Sequence, residues 1–309
     1  MRACVYHAET YLSGFANMKY LFITLTLVIL IGCSSSGIKI AFVSGSGLYS
    51  ESTNIHVANS DGTNEVQLTN GNSQNSSPCW SPDNEKIAFV SNRDDSEEIY
   101  MMKSDGTLPT RFTYSDFSEL NLSSECWSPD GEKMVFGDTD GGIFLISSDS
   151  DEIKKITSGP DKNGYFPIWS PDGKKIAFTS TRDGNEEVYN MNPDGSQQSR
   201  ITNSPDYDTC YSWSPDSRKL ACETFRNRVM HFYIVNADGT NLTDLIDARE
   251  ILGIWRPEWS PNGNKILYTV IEKDYTSSSL YIMNEDVTDA MKLDINEANA
   301  QSSGVWSNK

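Results

Sequence analysis

Histidines, cysteines and closely spaced carboxylates are the side chains from which hydrolytic, redox and metal sites are built, and this chain holds few of them outside a repeating pattern. Of three histidines in 309 residues, His56 stands in a column otherwise held by aromatic residues, which reads as a packed core position. His231 stands where other copies of the same strand carry Glu98 and Glu187, a position expected to face solvent. Neither the Gly-x-Ser-x-Gly of a nucleophile elbow nor the His-Glu-x-x-His of a zinc hydrolase occurs. No catalytic residue and no metal ligand set is therefore assigned.

Cys79 and Cys126 each precede a Trp-Ser dipeptide and so occupy matching points in adjacent repeats. An oxidising compartment permits a disulfide, but equivalent points on neighbouring units need not approach the roughly 4.4–6.8 Å between Cα atoms that a bridge requires. They are expected to be buried thiols, with Cys222 in the core and Cys210 on the rim. No Cys-x-x-Cys spacing suggests zinc or redox chemistry. The acidic turns Asp94-Asp95 and Asp138-Thr139-Asp140 offer oxygens to a hard cation, which takes about six to eight. None fits a calcium loop, and Asp in a hairpin ordinarily serves the backbone, so no cofactor is expected and calcium is the one candidate ion.

The elements that position these groups are repeated. Trp-Ser occurs at Trp80, Trp127, Trp169, Trp213, Trp259 and Trp306, at intervals of 47, 42, 44, 46 and 47 residues. A period of this size containing short alternating strands predicts an all-β propeller of four-stranded antiparallel blades. Each of the first five copies continues into a Ser-Pro-Asp/Asn turn, in which Pro presets the second position. A second strand then places Phe42, Phe89, Phe136, Phe178 and Tyr268 in one column, with Cys222 as its exception. A third strand places His56, Tyr100, Phe144, Tyr189, Tyr233 and Tyr281 in another. The outermost strands read Gln-Leu-Thr, Arg-Phe-Thr, Lys-Ile-Thr and Arg-Ile-Thr, ending at Thr69, Thr113, Thr157 and Thr202. The copies around Leu245 and Leu293 lack that pattern. Because the chain enters at a second strand, 38–44, and ends just after a sixth Trp-Ser, residues 304–309 are expected to supply the missing inner strand of the first blade. Six blades then close as one domain, 38–309, without the open edges that template aggregation.

The repeated tryptophans are expected to pack between blades. The aromatics that do not repeat lie in connections from an outermost strand to the next inner strand, which gather on one face around the channel mouth. Tyr114, Phe117, Tyr165, Phe166, Tyr207, Tyr211, Trp255 and Arg256 are the candidate partner-binding residues, since Tyr, Trp and Arg supply much of the energy of protein interfaces. The alternative is that several tuck back onto neighbouring blades.

Residues 18–33 carry a start-like Met18, Lys19, an apolar run over 20–31 and then Gly32-Cys33. Twelve residues suit the apolar core of a signal peptide and are too few to span a bilayer, which takes about 20. The ending Leu30-Ile31-Gly32-Cys33 resembles the bacterial lipobox, which implies acylation of Cys33 after removal of 18–32. Residues 1–17 read as a non-native upstream extension and 33–37 as a short tether. Ser34 after the Cys implies, by the same resemblance, delivery to the outer membrane, facing the periplasm or the cell surface. Cleavage before Cys33 leaves 23 basic and 42 acidic residues. With so negative a chain, acyl chains rather than lipid charge must hold it at the membrane, and a single chain binds only marginally. The formal charge of -18 also excludes a nucleic-acid partner held by phosphate contacts, and keeps the chain soluble as an expected monomer.

The segment Trp169-Ser170-Pro171-Asp172-Gly173-Lys174-Lys175-Ile176-Ala177-Phe178, followed by Thr181-Arg182-Asp183-Gly184-Asn185, resembles the TolB-type beta-propeller repeat, a WD-like unit, over 38–309. TolB carries an α/β domain ahead of its propeller, and nothing in 38–309 corresponds to it. The resemblance implies an envelope interaction module without catalysis of its own, with an envelope protein or peptide as partner. The alternative is a carbohydrate-binding or carbohydrate-processing propeller that uses the channel mouth, because a pair of carboxylates can do glycosidic chemistry.

Overall fold

The repeated Ser-Pro turn is a self-contained device. At Ser81 the hydroxyl donates to Asp83 at 2.6 Å and accepts from the Lys86 N–H at 2.9 Å, while Asp83 accepts from Glu85 N–H at 3.0 Å. The same bonds recur at Ser128, Ser170, Ser214 and Ser260. The residue closing each turn has positive φ, as at Gly131, Gly173, Gly263 and also Asn84 and Ser217, which explains the preference for Gly there.

The computed structural model describes residues 37–45, 51–114, 117, 120–149, 152–157, 164–226, 229–247, 253–271, 278–295 and 300–308. The upstream segment 1–17, the signal segment 18–32 and Cys33 lie outside the described residues. The first blade begins with β1 (Lys39–Gly45), β2 (Thr53–Asn59) and β3 (Val66–Gln67). The second holds β4 (Asn75–Trp80), β5 (Lys86–Ser91), β6 (Glu98–Lys103) and β7 (Thr110–Arg111). The third holds β8 (Leu120–Asn121), β9 (Lys133–Asp138), β10 (Ile143–Ser147) and β11 (Ile153–Lys155). The fourth holds β12 (Gly164–Trp169), β13 (Ile176–Ser180), β14 (Glu187–Met191) and β15 (Ser199–Arg200). The fifth holds β16 (Asp208–Trp213), β17 (Lys219–Arg226), β18 (Val229–Asn236) and β19 (Thr243–Asp247). The sixth holds β20 (Gly253–Trp259), β21 (Lys265–Ile271), β22 (Ser278–Asn284) and β23 (Met291–Lys292).

The last strand, β24 (Ala300–Trp306), pairs antiparallel with β1 as the inner strand of the first blade. Closure by the C-terminal strand is thus as the sequence predicts, and the strand starts four residues earlier. Ser307 N–H donates to Lys39 O and Lys39 N–H to Ser307 Oγ, both at 2.8 Å. Asn308 is exchanged with Asn84 of the next blade at 2.7 and 2.9 Å.

Apolar burial falls into clusters that each span two neighbouring blades, and each contains one repeat tryptophan: Trp80, Trp127, Trp169, Trp213, Trp259 and Trp306. The tryptophans are the packing between blades, as expected. Each buried aromatic of this size contributes roughly 2–3 kcal/mol. The Gly of the hairpin before an outer strand also makes a blade contact. A Cβ on Gly195 would lie 2.1 Å from Ile156 O and one on Gly239 2.5 Å from Ile201 O, both in the preceding blade. The outer-strand Thr completes the blade: Thr69, Thr113, Thr157 and Thr202 accept from the third-strand N–H groups of Ile55, Ile99, Ile143 and Val188 at 2.8–2.9 Å.

Two expectations about third-strand and cysteine positions are corrected. Glu98 and Glu187, the counterparts of His231, do not face solvent. They are buried and paired with Arg111 at 2.5 Å and Arg200 at 2.6 Å, because the basic residue of the outer strand folds back over them. His231 itself is only partly exposed.

Cys79 and Cys126 are not thiols but a disulfide, with Cα atoms 6.3 Å apart. Cys210 is not on the rim either: it is buried, lies directly opposite Cys222 and is bridged to it, which accounts for the single non-aromatic residue in the second-strand column. Thiol titration in denaturant without reductant is therefore expected to find none of these four cysteines free. Closing the 47-residue separation between Cys79 and Cys126 restrains the unfolded chain by roughly 4 kcal/mol in the chain-entropy account. The Cys79→Ala/Cys126→Ala variant should lose stability of about 2–4 kcal/mol in denaturant melts, and an unchanged midpoint would exclude the bridge.

Candidate functional site

An inner strand carries side chains that pack between blades, so something must turn a residue toward the channel. In β4, β12, β16 and β20 the pairing register with the second strand shifts between Ser76 and Cys79, Tyr165 and Ile168, Cys210 and Ser212, and Trp255 and Glu258. Three residues before the tryptophan, Ser77, Phe166 and Arg256 have φ of 52°, 49° and 55°. Left-handed backbone costs a non-glycine residue about 1–2 kcal/mol, and bulges of this kind re-aim side chains. All three line a cavity at the end of the ring where the inner strands begin, together with Leu122, Tyr211 and Gly304 among others.

A buried polar cluster stands behind this cavity. The Tyr211 hydroxyl donates to Glu223 at 2.8 Å, and the Arg256 backbone N–H donates to the same carboxylate. Burial pushes Glu223 up to about 7 against the opposing pull of Tyr211 and Arg256, and burial with Glu223 alongside holds the Tyr211 phenol well above its usual range. The Arg256 guanidinium and the Phe166 ring each lie 6.0 Å from the Tyr211 ring centroid.

The structure divides the predicted binding residues. Phe166, Tyr211 and Arg256 converge on the cavity. Trp255 is 46% and Tyr114 69% exposed, the latter under the Arg111 guanidinium at 4.8 Å. Tyr165 is partly exposed beside the carboxylates of Glu186, Asp138 and Asp140, which with its burial raise its phenol. Phe117 and Tyr207 tuck back: Phe117 packs edge-on against Phe136 and Phe144 at 5.2 and 5.1 Å, and Tyr207 stacks on Phe225.

Sequence reasoning missed a step in the third blade. There β8 has only two residues, and the chain rejoins β9 only through a bridge between Trp127 and Met134. The intervening residues leave the sheet and enter the channel. Both Glu125 carboxylate oxygens accept the Trp213 N–H of the fifth blade at 3.0 Å, its carbonyl accepts Trp169 N–H of the fourth at 3.0 Å, and Ser124 Oγ donates to Tyr211 O at 3.3 Å. The Cys79–Cys126 bridge fastens the end of this segment to the second blade. Burial, and Glu258 nearby, hold the Glu125 carboxyl well above the usual carboxylate range.

Beyond this segment, at the opposite end of the inner strands, a second cavity of about 350 Å³ is ringed by the six repeat tryptophans and the five turn prolines, with Glu125 and Glu258 in its wall. Glu258 accepts Trp306 N–H at 3.2 Å, and burial pushes it up to about 8. The available signal was a carboxylate one or two residues before a Trp-Ser, where other copies hold Pro, Cys, Ile, Tyr, Ser, Gly or Val. The acidic turns weighed for calcium serve their hairpins: Asp138 accepts Gly142 N–H at 2.6 Å and Asp94 accepts the Tyr100 hydroxyl. Among the described residues no group of three or more His, Cys, Asp or Glu is placed to hold a metal ion.

Six four-stranded blades around a channel closed by the chain's own last strand define a β-propeller whose inner-strand bulges line a small cavity of about 20 Å³. The chain belongs to the TolB beta propeller domain family, which matches residues 39–309. No curated protein matches the sequence. Among solved structures it is similar to TolB from Acinetobacter baumannii, at 23% identity and TM-score 0.75 over 88% of this chain and 67% of that one. A candidate TolB from Agrobacterium tumefaciens is similar at 18% identity and TM-score 0.68 over 88% and 100%. A chain of the nidogen/laminin complex is similar at 12% identity and TM-score 0.68 over 88% and 98%.

Proposed function

We propose that this protein is a lipid-anchored interaction module of the cell envelope, without catalysis of its own, which docks a protein or peptide on the mouth built by the inner-strand bulges. The observation that carries this reading is the set of left-handed residues Ser77, Phe166 and Arg256 around one cavity. Strained backbone at bulky residues persists where surrounding structure enforces it and clusters at binding sites. Exposed Trp255 and Tyr114 are side chains typical of interface anchors. The formal charge of -18 favours a basic partner and speeds encounter at low salt. Membership of the TolB propeller family supports an interaction module in general. The lipobox-like Cys33 and the apolar run before it support anchoring at the outer membrane.

Affinity capture from solubilised envelopes tests the docking face. The Tyr165→Ala/Trp255→Ala variant is expected to lose at least about 90% of the captured partner, because two interface anchors together are worth several kcal/mol, while its melting temperature stays near that of the parent. Capture that is unchanged by the variant would remove this face from consideration. Radiolabelled palmitate incorporated by the parent and absent from Cys33→Ser tests the anchor separately.

A further inference from the structure

The second cavity lies toward the far end of the inner strands from the proposed docking cavity and shares only Ser124 and Glu258 with it. Its volume of about 350 Å³ falls within the roughly 300–1,000 Å³ of small-molecule sites. Its wall is indole and pyrrolidine rings, a few serines and Asn308, and its only ionisable groups are Glu125 and Glu258, with no Lys or Arg among the lining residues. We propose that this basket of tryptophans and prolines binds a small quaternary ammonium compound, with Glu125 and Glu258 supplying the charge complement.

Three features select that ligand chemistry. Indole rings attract cations through their quadrupole, and proline rings accommodate methyl groups. A hard metal ion takes about six to eight oxygen ligands, and among the described residues no group of three or more His, Cys, Asp or Glu is placed to hold one. A primary ammonium brings three N–H donors that each need an acceptor, whereas a quaternary nitrogen brings none and asks only for apolar contact and opposite charge. A phosphate beside the cation would be repelled by the two carboxylates, so the free compound is the ligand rather than a phosphocholine headgroup.

Glu258 sits at about 8 when the cavity holds no cation. The groups that face its carboxyl are Glu125 of the third blade, the Arg256 guanidinium of its own strand and the Trp306 N–H of the last. A bound cation favours its ionised form, so binding strengthens as pH rises through that value.

The test is choline titration of the full chain at about pH 9, followed by the intrinsic fluorescence of the tryptophans that line the cavity. Saturable binding is expected, weakened at least tenfold at about pH 6, where most Glu258 carboxyls carry a proton. Ethanolamine and the neutral isostere 3,3-dimethylbutan-1-ol are each expected to bind at least tenfold more weakly than choline. Glu258→Gln should reduce choline affinity by a similar factor, and the wild-type comparison of choline with its neutral isostere stands whether or not that variant folds. The proposal is overturned by no saturable response to choline, by equal binding of the neutral isostere, or by calcium chloride alone producing the same response. Co-sedimentation of the unacylated Cys33→Ser chain with phosphatidylcholine vesicles would likewise overturn it, by assigning the cation to a lipid.

Discussion

Deleting residues 304–309 is expected to abolish cooperative unfolding of the ring. The deletion removes Val305 and Trp306, both buried, from the interfaces that the first blade shares with the second and the sixth. It takes away the Trp306 N–H that Glu258 accepts, the Trp306 Nε1–H donated to Glu258 O at 3.3 Å, and both bonds between Ser307 and Lys39. Burial of the indole alone is worth roughly 2–3 kcal/mol. Each lost hydrogen bond adds about 1 kcal/mol, and more where a buried partner is stranded. The sum is on the order of the 5–15 kcal/mol by which whole domains are stable. Calorimetry of the truncated chain should show a broad or absent transition, and β1, with Ile40 and Ala41 stripped of their partners Trp306 and Val305, should promote self-association. A sharp transition at the parent temperature would disprove closure by the last strand.

The second large effect is a loss of stability toward alkaline pH. Burial raises Glu125, Glu258 to about 8, Glu223 to about 7 and Asp208 to about 6. In the unfolded chain these carboxyls ionise at their ordinary values near 4. Between those values and the folded ones the native state holds protons that the unfolded state has released, so stability falls as pH rises from about 4.5 through about 8. Glu258 alone, moved from its ordinary 4.5 to about 8, is linked to roughly 4 kcal/mol across that window.

The turn carboxylates work the other way. Asp83, Asp130 and Asp216 are lowered by the Ser hydroxyls and backbone N–H groups they accept from, and their contribution is lost only as pH falls below the usual carboxylate range. Maximum stability is therefore expected near about pH 5, with Tm lower by on the order of 10 °C at about pH 8.5. Glu258→Gln, which keeps an acceptor for Trp306 and cannot ionise, should remove its own share of the slope and leave that of Glu125, Glu223 and Asp208. A Tm that rises from pH 5 to pH 8.5 would contradict burial of these carboxyls.

The blades were legible because their determinants are local and repeated. The Ser81 hydroxyl, Asp83 and the positive-φ Asn84 specify their turn within six residues, and Trp80 marks its blade interface wherever its copies occur. The site was legible only in part. Phe166, Tyr211 and Arg256 could be picked out as non-repeating aromatic and basic residues. That Phe117 packs onto Phe136 and Phe144 and Glu125 reaches the fifth blade depends on tertiary contacts, which no local pattern encodes. The Cys79–Cys126 bridge was misread for a related reason. Matching positions in adjacent repeats are held apart by regular blades, but the third blade's inner strand leaves its sheet after two residues, and Cys126 comes within bridging distance of Cys79.

The placement of β1 between β24 and β2 has a mechanical consequence. A tether attached ahead of Lys39 pulls along the axis of a strand that is hydrogen-bonded on both sides, so the ladders are loaded together in shear rather than peeled one bond at a time. Force entering from that end meets a strand paired on both sides first, and the pairing that seals the circle is also the pairing that bears the load.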